Sequence, residues 1–80
     1  MIVLTLLSRR ECHLCEDMLA ELGSLVGERA RIEVVDIEDD ETLEARYLFE
    51  IPVLLCGDLE LSRHRLDRAR VAGFLAAHAG

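Results

Sequence analysis

Six consecutive positions, Ile2-Val3-Leu4-Thr5-Leu6-Leu7, carry almost no polar group. A run this short and uniform predicts a central strand covered on both faces, because a strand with one wet face would alternate. The period then changes. Leu14, Met18, Leu22 and Leu25 recur at helical spacing, with Glu16, Asp17, Glu21 and Ser24 turned elsewhere, and Gly27 stands where that helix ends. Residues 31–37 (R-I-E-V-V-D-I) are rich in β-branched side chains and predict a second strand, parallel to the first because one helix separates the two. Asp39-Asp40-Glu41-Thr42 is an acidic helix start, suited to the positive end of the dipole, and Leu43, Tyr47 and Leu48 give the short helix after it one apolar stripe. Residues 51–56 and 59–62 predict two more strands. Gly57-Asp58 between them makes a two-residue hairpin, so these strands are antiparallel. Asp67 is placed to cap a last helix whose Val71, Phe74, Leu75 and His78 share a face. The predicted order is βαβαββα, an α/β fold without linker or repeat.

Pro52 is the misfit, because a proline second in a central strand loses a ladder hydrogen bond. Either the strand begins after it or the proline makes a deliberate turn, a cis bond included.

Composition narrows the setting. The 80 residues suffice for one domain, 1–80, near the lower limit for a self-supporting core. With 51% apolar but only 4% aromatic residues, the interior must be Leu, Val, Ile and Ala. The formal net charge is −7, and all nine basic residues are Arg. That balance disfavours nucleic acid, and the absence of Lys excludes a lysine Schiff base or a P-loop. Apolar Met1–Leu7 followed by Ser8-Arg9-Arg10 reverses the order of a signal peptide, and no run approaches a membrane span. Three cysteines form no even disulfide framework. These features predict a cytoplasmic monomer in a reducing compartment, without nucleic-acid or membrane partners.

The candidate chemistry is Cys12-His13-Leu14-Cys15, which follows the first strand and opens the first helix. A sulfur at a helix N-terminus meets free N–H groups and the positive dipole end, which favour thiolate over thiol. The spacer brings the second sulfur back under the first, near enough for a disulfide. Cys12 is then the nucleophile and Cys15 the resolving thiol. Other readings are a structural zinc site and two plain core cysteines. Zinc needs four ligands, and only Cys56, His64 and His78 remain, scattered and unpaired, so no metal ligands are assigned. Haem attachment is excluded because Glu16, not His, follows Cys15.

With Ile51-Pro52-Val53 ahead of the third strand and the βαβαββα order, the C-x-x-C gives a chain that resembles the glutaredoxin-like branch of the thioredoxin-fold superfamily over its whole length, and within it small bacterial proteins with C-H-x-C. The resemblance implies a four-stranded mixed sheet with helices on both faces, and a cis Pro52 whose loop lies against Cys12. It implies that Ile51 and Pro52 offer backbone to a peptide or glutathione. Two departures are evident: His13-Leu14 replaces Pro-Tyr, and Ser62-Arg63-His64-Arg65-Leu66-Asp67 replaces the glycine-rich acidic stretch that binds glutathione carboxylates.

The remaining residues divide between functional and structural roles. His13, beside the nucleophile, assists the thiolate when protonated or simply faces solvent. Arg63, His64 and Arg65 hold glutathione carboxylates or form a solvated basic turn. Cys56 is read as a buried free thiol, the acidic run as helix-start chemistry, and Tyr47 as core edge. The expected function is a thiol–disulfide oxidoreductase without bound cofactor. It reduces protein or glutathione mixed disulfides and takes electrons from glutathione or a thioredoxin reductase. Two alternatives stay open: a metal or iron–sulfur carrier, and a redox-inactive interaction module.

Overall fold

The computed structural model describes residues 1–78. Its elements are β1 (Ile2–Ser8), α1 (His13–Val26), β2 (Ala30–Asp36), a 3₁₀ turn (Ile37–Asp39), α2 (Glu41–Tyr47), β3 (Val53–Cys56), β4 (Leu59–Arg63) and α3 (Arg68–His78). The sheet order is β2-β1-β3-β4; β1 runs parallel to β2, and the two other pairings are antiparallel. This is the mixed thioredoxin-like sheet that the βαβ and hairpin readings require.

Alternation along β1 divides the core. Leu4 and Leu6 point to one face, where Met18, Leu22 and Val26 of α1 and Val71 and Leu75 of α3 bury them. Leu7 points to the other, into a cluster with Ile37, Tyr47, Ile51 and Val53. That second layer is thin because α2 has only seven residues. Val3 and Thr5 are therefore half-buried, and the expectation that β1 is covered on both faces holds only toward its carboxyl end. The apolar stripe of α1 is also displaced by one position. Cys15, Met18, Leu22 and Val26 face the core, while Leu14 is 45% exposed and Leu25 half-buried.

The caps follow side-chain chemistry. Asp36 Oδ1 accepts from Glu38 N at 2.9 Å, and Asp40 Oδ1 from Thr42 N and Leu43 N at 2.9 and 3.2 Å. Asp67 Oδ1 accepts from Arg70 N at 3.0 Å, fixing the start of α3. Gly57 takes φ +59 in the β3–β4 hairpin, a left-handed conformation that glycine adopts freely. The β3–β4 register slips between Leu54 and Leu55. Leu61 and Ser62, though adjacent in β4, are in consequence both buried.

The Ile51–Pro52 peptide is cis, and β3 begins only at Val53. Both alternatives for Pro52 thus hold together: the residue stands ahead of the strand and turns the chain into it.

Candidate functional site

The site lies where β1 ends and α1 begins. Glu11 adopts φ +57, a conformation that costs a non-glycine residue about 1–2 kcal/mol. It turns the chain so that Cys12 enters as the N-cap of α1. The Cys12 sulfur accepts a hydrogen bond from Cys15 N at 3.2 Å, so the sulfur itself does what a serine or aspartate oxygen does at other caps. Cys12 and Cys15 are joined as a disulfide, with Cα atoms 5.2 Å apart. The two sulfurs differ in access. Cys15 is 3% exposed within the cluster around Leu7, Ile51 and Val53, whereas Cys12 is half-buried and packs on the outside of that cluster.

After reduction, iodoacetamide is expected to alkylate Cys12 first, since it alone combines access with the N-cap position. Mass mapping at partial labelling checks this. Faster labelling of Cys15 reverses the two roles.

The other sequence-derived candidates fall less evenly. Ile51 and Pro52 are buried beside the dithiol cluster, but the Ile51 N–H donates to Tyr47 O at 3.2 Å. Its carbonyl is the group left without a partner among the described hydrogen bonds. His13 does not face the sulfurs. Its side chain is 97% exposed, with Nδ1 3.7 Å from Glu16 Oε2. Arg10 Nε lies 3.5 Å from Asp36 Oδ2, which ties its charge to the end of β2.

Arg63 is held by acidic neighbours on two sides. Its Nε and Nη2 donate to Glu60 at 3.1 and 2.6 Å, and its Nη1 donates to Glu50 at 2.8 Å. The Glu60 hydrogen bonds, and after them the charges of Glu60 and Glu50, hold the guanidinium pKa above its ordinary value. Nothing in the sequence singles out Glu50 as its partner, thirteen positions away. His64, at φ +66, sends its backbone N–H to Pro52 O at 2.8 Å and brings Nε2 within 3.6 Å of Glu50. Ser62, buried, accepts from Asp67 N at 2.9 Å and holds the other end of this connection.

Between α1 and the β4–α3 connection lies a cleft of about 230 Å³. Leu14, Met18 and Leu66 supply its apolar lining, and Asp17, Glu21, His64 and Arg65 its polar groups. Glu21 is 3.7 Å from Arg68, whereas Arg65 makes no ion pair among the described residues. Phe49, in the turn that leads into Ile51, is 85% exposed. Cys56 is a free thiol, half-buried against the α1/α3 cluster, and not the fully buried cysteine expected. Tyr47 is core edge, as read, with the Arg46 guanidinium 5.2 Å from its ring centroid. Among the described residues no group of three or more His, Cys, Asp or Glu is placed to hold a metal ion. No helix among them is long and apolar enough to cross a membrane.

Comparison with known proteins places this geometry. Residues 3–76 match the model of the Glutaredoxin-like domain. A Nitrosomonas europaea protein solved by solution NMR is 33% identical, with TM-score 0.81 over 91% of this chain and 89% of that one. A protein from X. campestris solved by X-ray is 33% identical, with TM-score 0.72 over 92% of this chain and 96% of that one. A malarial protein, 19% identical at TM-score 0.64 over 100% of this chain and 99% of that one, shares the fold alone. Among curated proteins, none matches the chain.

Proposed function

Because the chain belongs to the glutaredoxin-like family, we propose that it is a thiol–disulfide oxidoreductase reducing protein or glutathione mixed disulfides. The observation that carries this reading is the asymmetric sulfur pair: one accessible at a helix start, the other sheltered and already bonded to it. In the reduced protein the Cys12 thiolate attacks one sulfur of the substrate disulfide, forming a mixed disulfide and releasing the first thiolate. Cys15, as thiolate, then attacks Cys12 Sγ and releases the second. Two electrons have passed to the substrate, and the Cys12–Cys15 disulfide is the product state.

Regeneration needs two thiols from outside, supplied by glutathione or by a thioredoxin reductase, in the cytoplasm and without a resident cofactor. The protein works as a monomer. His13 stands out in solvent in this reading, with no hydrogen bond to sulfur. Arg65 and Arg9, which make no ion pair among the described residues, are the cations left to meet a substrate carboxylate, and Arg63 is not.

The test is turnover of bis(2-hydroxyethyl) disulfide, driven in parallel by glutathione with its reductase and by a thioredoxin reductase system. Turnover in one arm identifies the reductant class. No turnover in either, with an intact fold and reduced cysteines, removes the reading. A coloured, iron-bearing protein on fresh purification would favour the carrier function instead.

A further inference from the structure

Arg63 ends β4 opposite Val53, the first residue of β3, and its guanidinium spans Glu60 on its own strand and Glu50 just ahead of Ile51. All three guanidinium nitrogens of Arg63 already donate to Glu60 or Glu50, so the fork that would hold a carboxylate ligand is occupied. The same segment is tied a second time, by His64 N–H to Pro52 O at 2.8 Å. Both ties converge on the loop whose Ile51 packs in the cluster that Cys12 touches. We infer that Arg63, with Glu50 and Glu60, is a positioning residue for the Ile51–Pro52 loop and acts on substrate through that loop, not by direct contact. The kinetic side of this inference rests on the oxidoreductase reading; the structural side does not.

Two kinds of measurement decide it. The first compares a neutral probe, bis(2-hydroxyethyl) disulfide, with a carboxylate-bearing one, oxidised glutathione. Arg63→Gln is expected to raise KM for both by about five- to tenfold, the range that one partly exposed ion-pair network supports, with kcat little changed. Arg63→Lys restores part of the loss, and Glu50→Gln repeats it. If Arg63 instead binds substrate, the loss is confined to oxidised glutathione, and Glu50→Gln, by freeing the guanidinium, lowers KM for it. That pattern overturns the inference.

The second measurement is native-state amide exchange. In Arg63→Gln the Ile51 and His64 amides are expected to exchange about five- to tenfold faster, while those of Leu6 and Leu54 keep their protection. Unchanged exchange at Ile51 and His64 overturns the positioning role. Should the wild-type protein turn over neither disulfide, the oxidoreductase reading fails while the exchange result still decides the role of Arg63.

Discussion

Cys12→Ser is expected to abolish disulfide reduction, lowering turnover by on the order of 10³-fold or more. The serine hydroxyl stays protonated at neutral pH and does not attack a disulfide sulfur, and the other sulfur of the pair, Cys15, is 3% exposed and sheltered from substrate. The substitution leaves the cap intact, because a hydroxyl oxygen accepts from the residue 15 amide as the sulfur does now. Activity should therefore vanish while the folded baseline and urea midpoint move little. Cys15→Ser should differ in kind. Its Cys12 still attacks, but the mixed disulfide accumulates and appears as an adduct in the intact mass. Residual turnover by Cys12→Ser above the thiol background would show that Cys12 is not the attacking group.

The second large effect concerns stability. Leu54 has no exposed surface, lies opposite Leu6 in β1 and Ser62 in β4, and belongs to the cluster beneath α1 and α3. Leu54→Ala removes buried methyl groups from a site walled by strands on both sides, where collapse is hindered, and is expected to cost about 3–5 kcal/mol. A domain of this size has roughly 4–12 kcal/mol in total, so the variant falls to the edge of unfolding. With a urea m-value of about 1–2 kcal/mol/M, the midpoint should drop by about 1.5 M or more. Leu14→Ala, at a position 45% exposed, should stay within about 0.5 kcal/mol of wild type. Similar midpoints for the two variants would show that the strand core does not govern stability.

The backbone plan was legible because its signals are local. The run ending at Leu7, the Gly57-Asp58 hairpin and the caps Asp40 and Asp67 each act within a few residues, and each stands where the sequence implies. The dithiol was legible for the same reason, since Cys12, Cys15 and the helix start are one turn apart. The misreadings come from effects that lie outside a local window. Leu14 has helical spacing but lines the open cleft beside the β4–α3 connection, so Cys15 takes the core position that hydropathy gave to leucine. Val3 and Thr5 depend on how far a seven-residue helix reaches across a sheet. Arg63 sits in a basic stretch, yet its environment is set by Glu50, which only the β3–β4 pairing and the turn before Pro52 bring near. Charge pattern along a chain does not report such a neighbour.

The shelter around Cys15 gives the bond between the two sulfurs a front and a back. In the proposed reaction an incoming thiol meets only the Cys12 side, so every covalent partner, whether donor or acceptor of electrons, is joined through the same atom and expelled by the same hidden one. Entry and exit share a single door, and the protein holds at most one passenger at a time. The latch on that door is inside. A chain in which the latch alone is removed keeps whatever enters, which turns this small domain into bait whose catch, recovered from the cell and released with a reducing agent, names its own substrates.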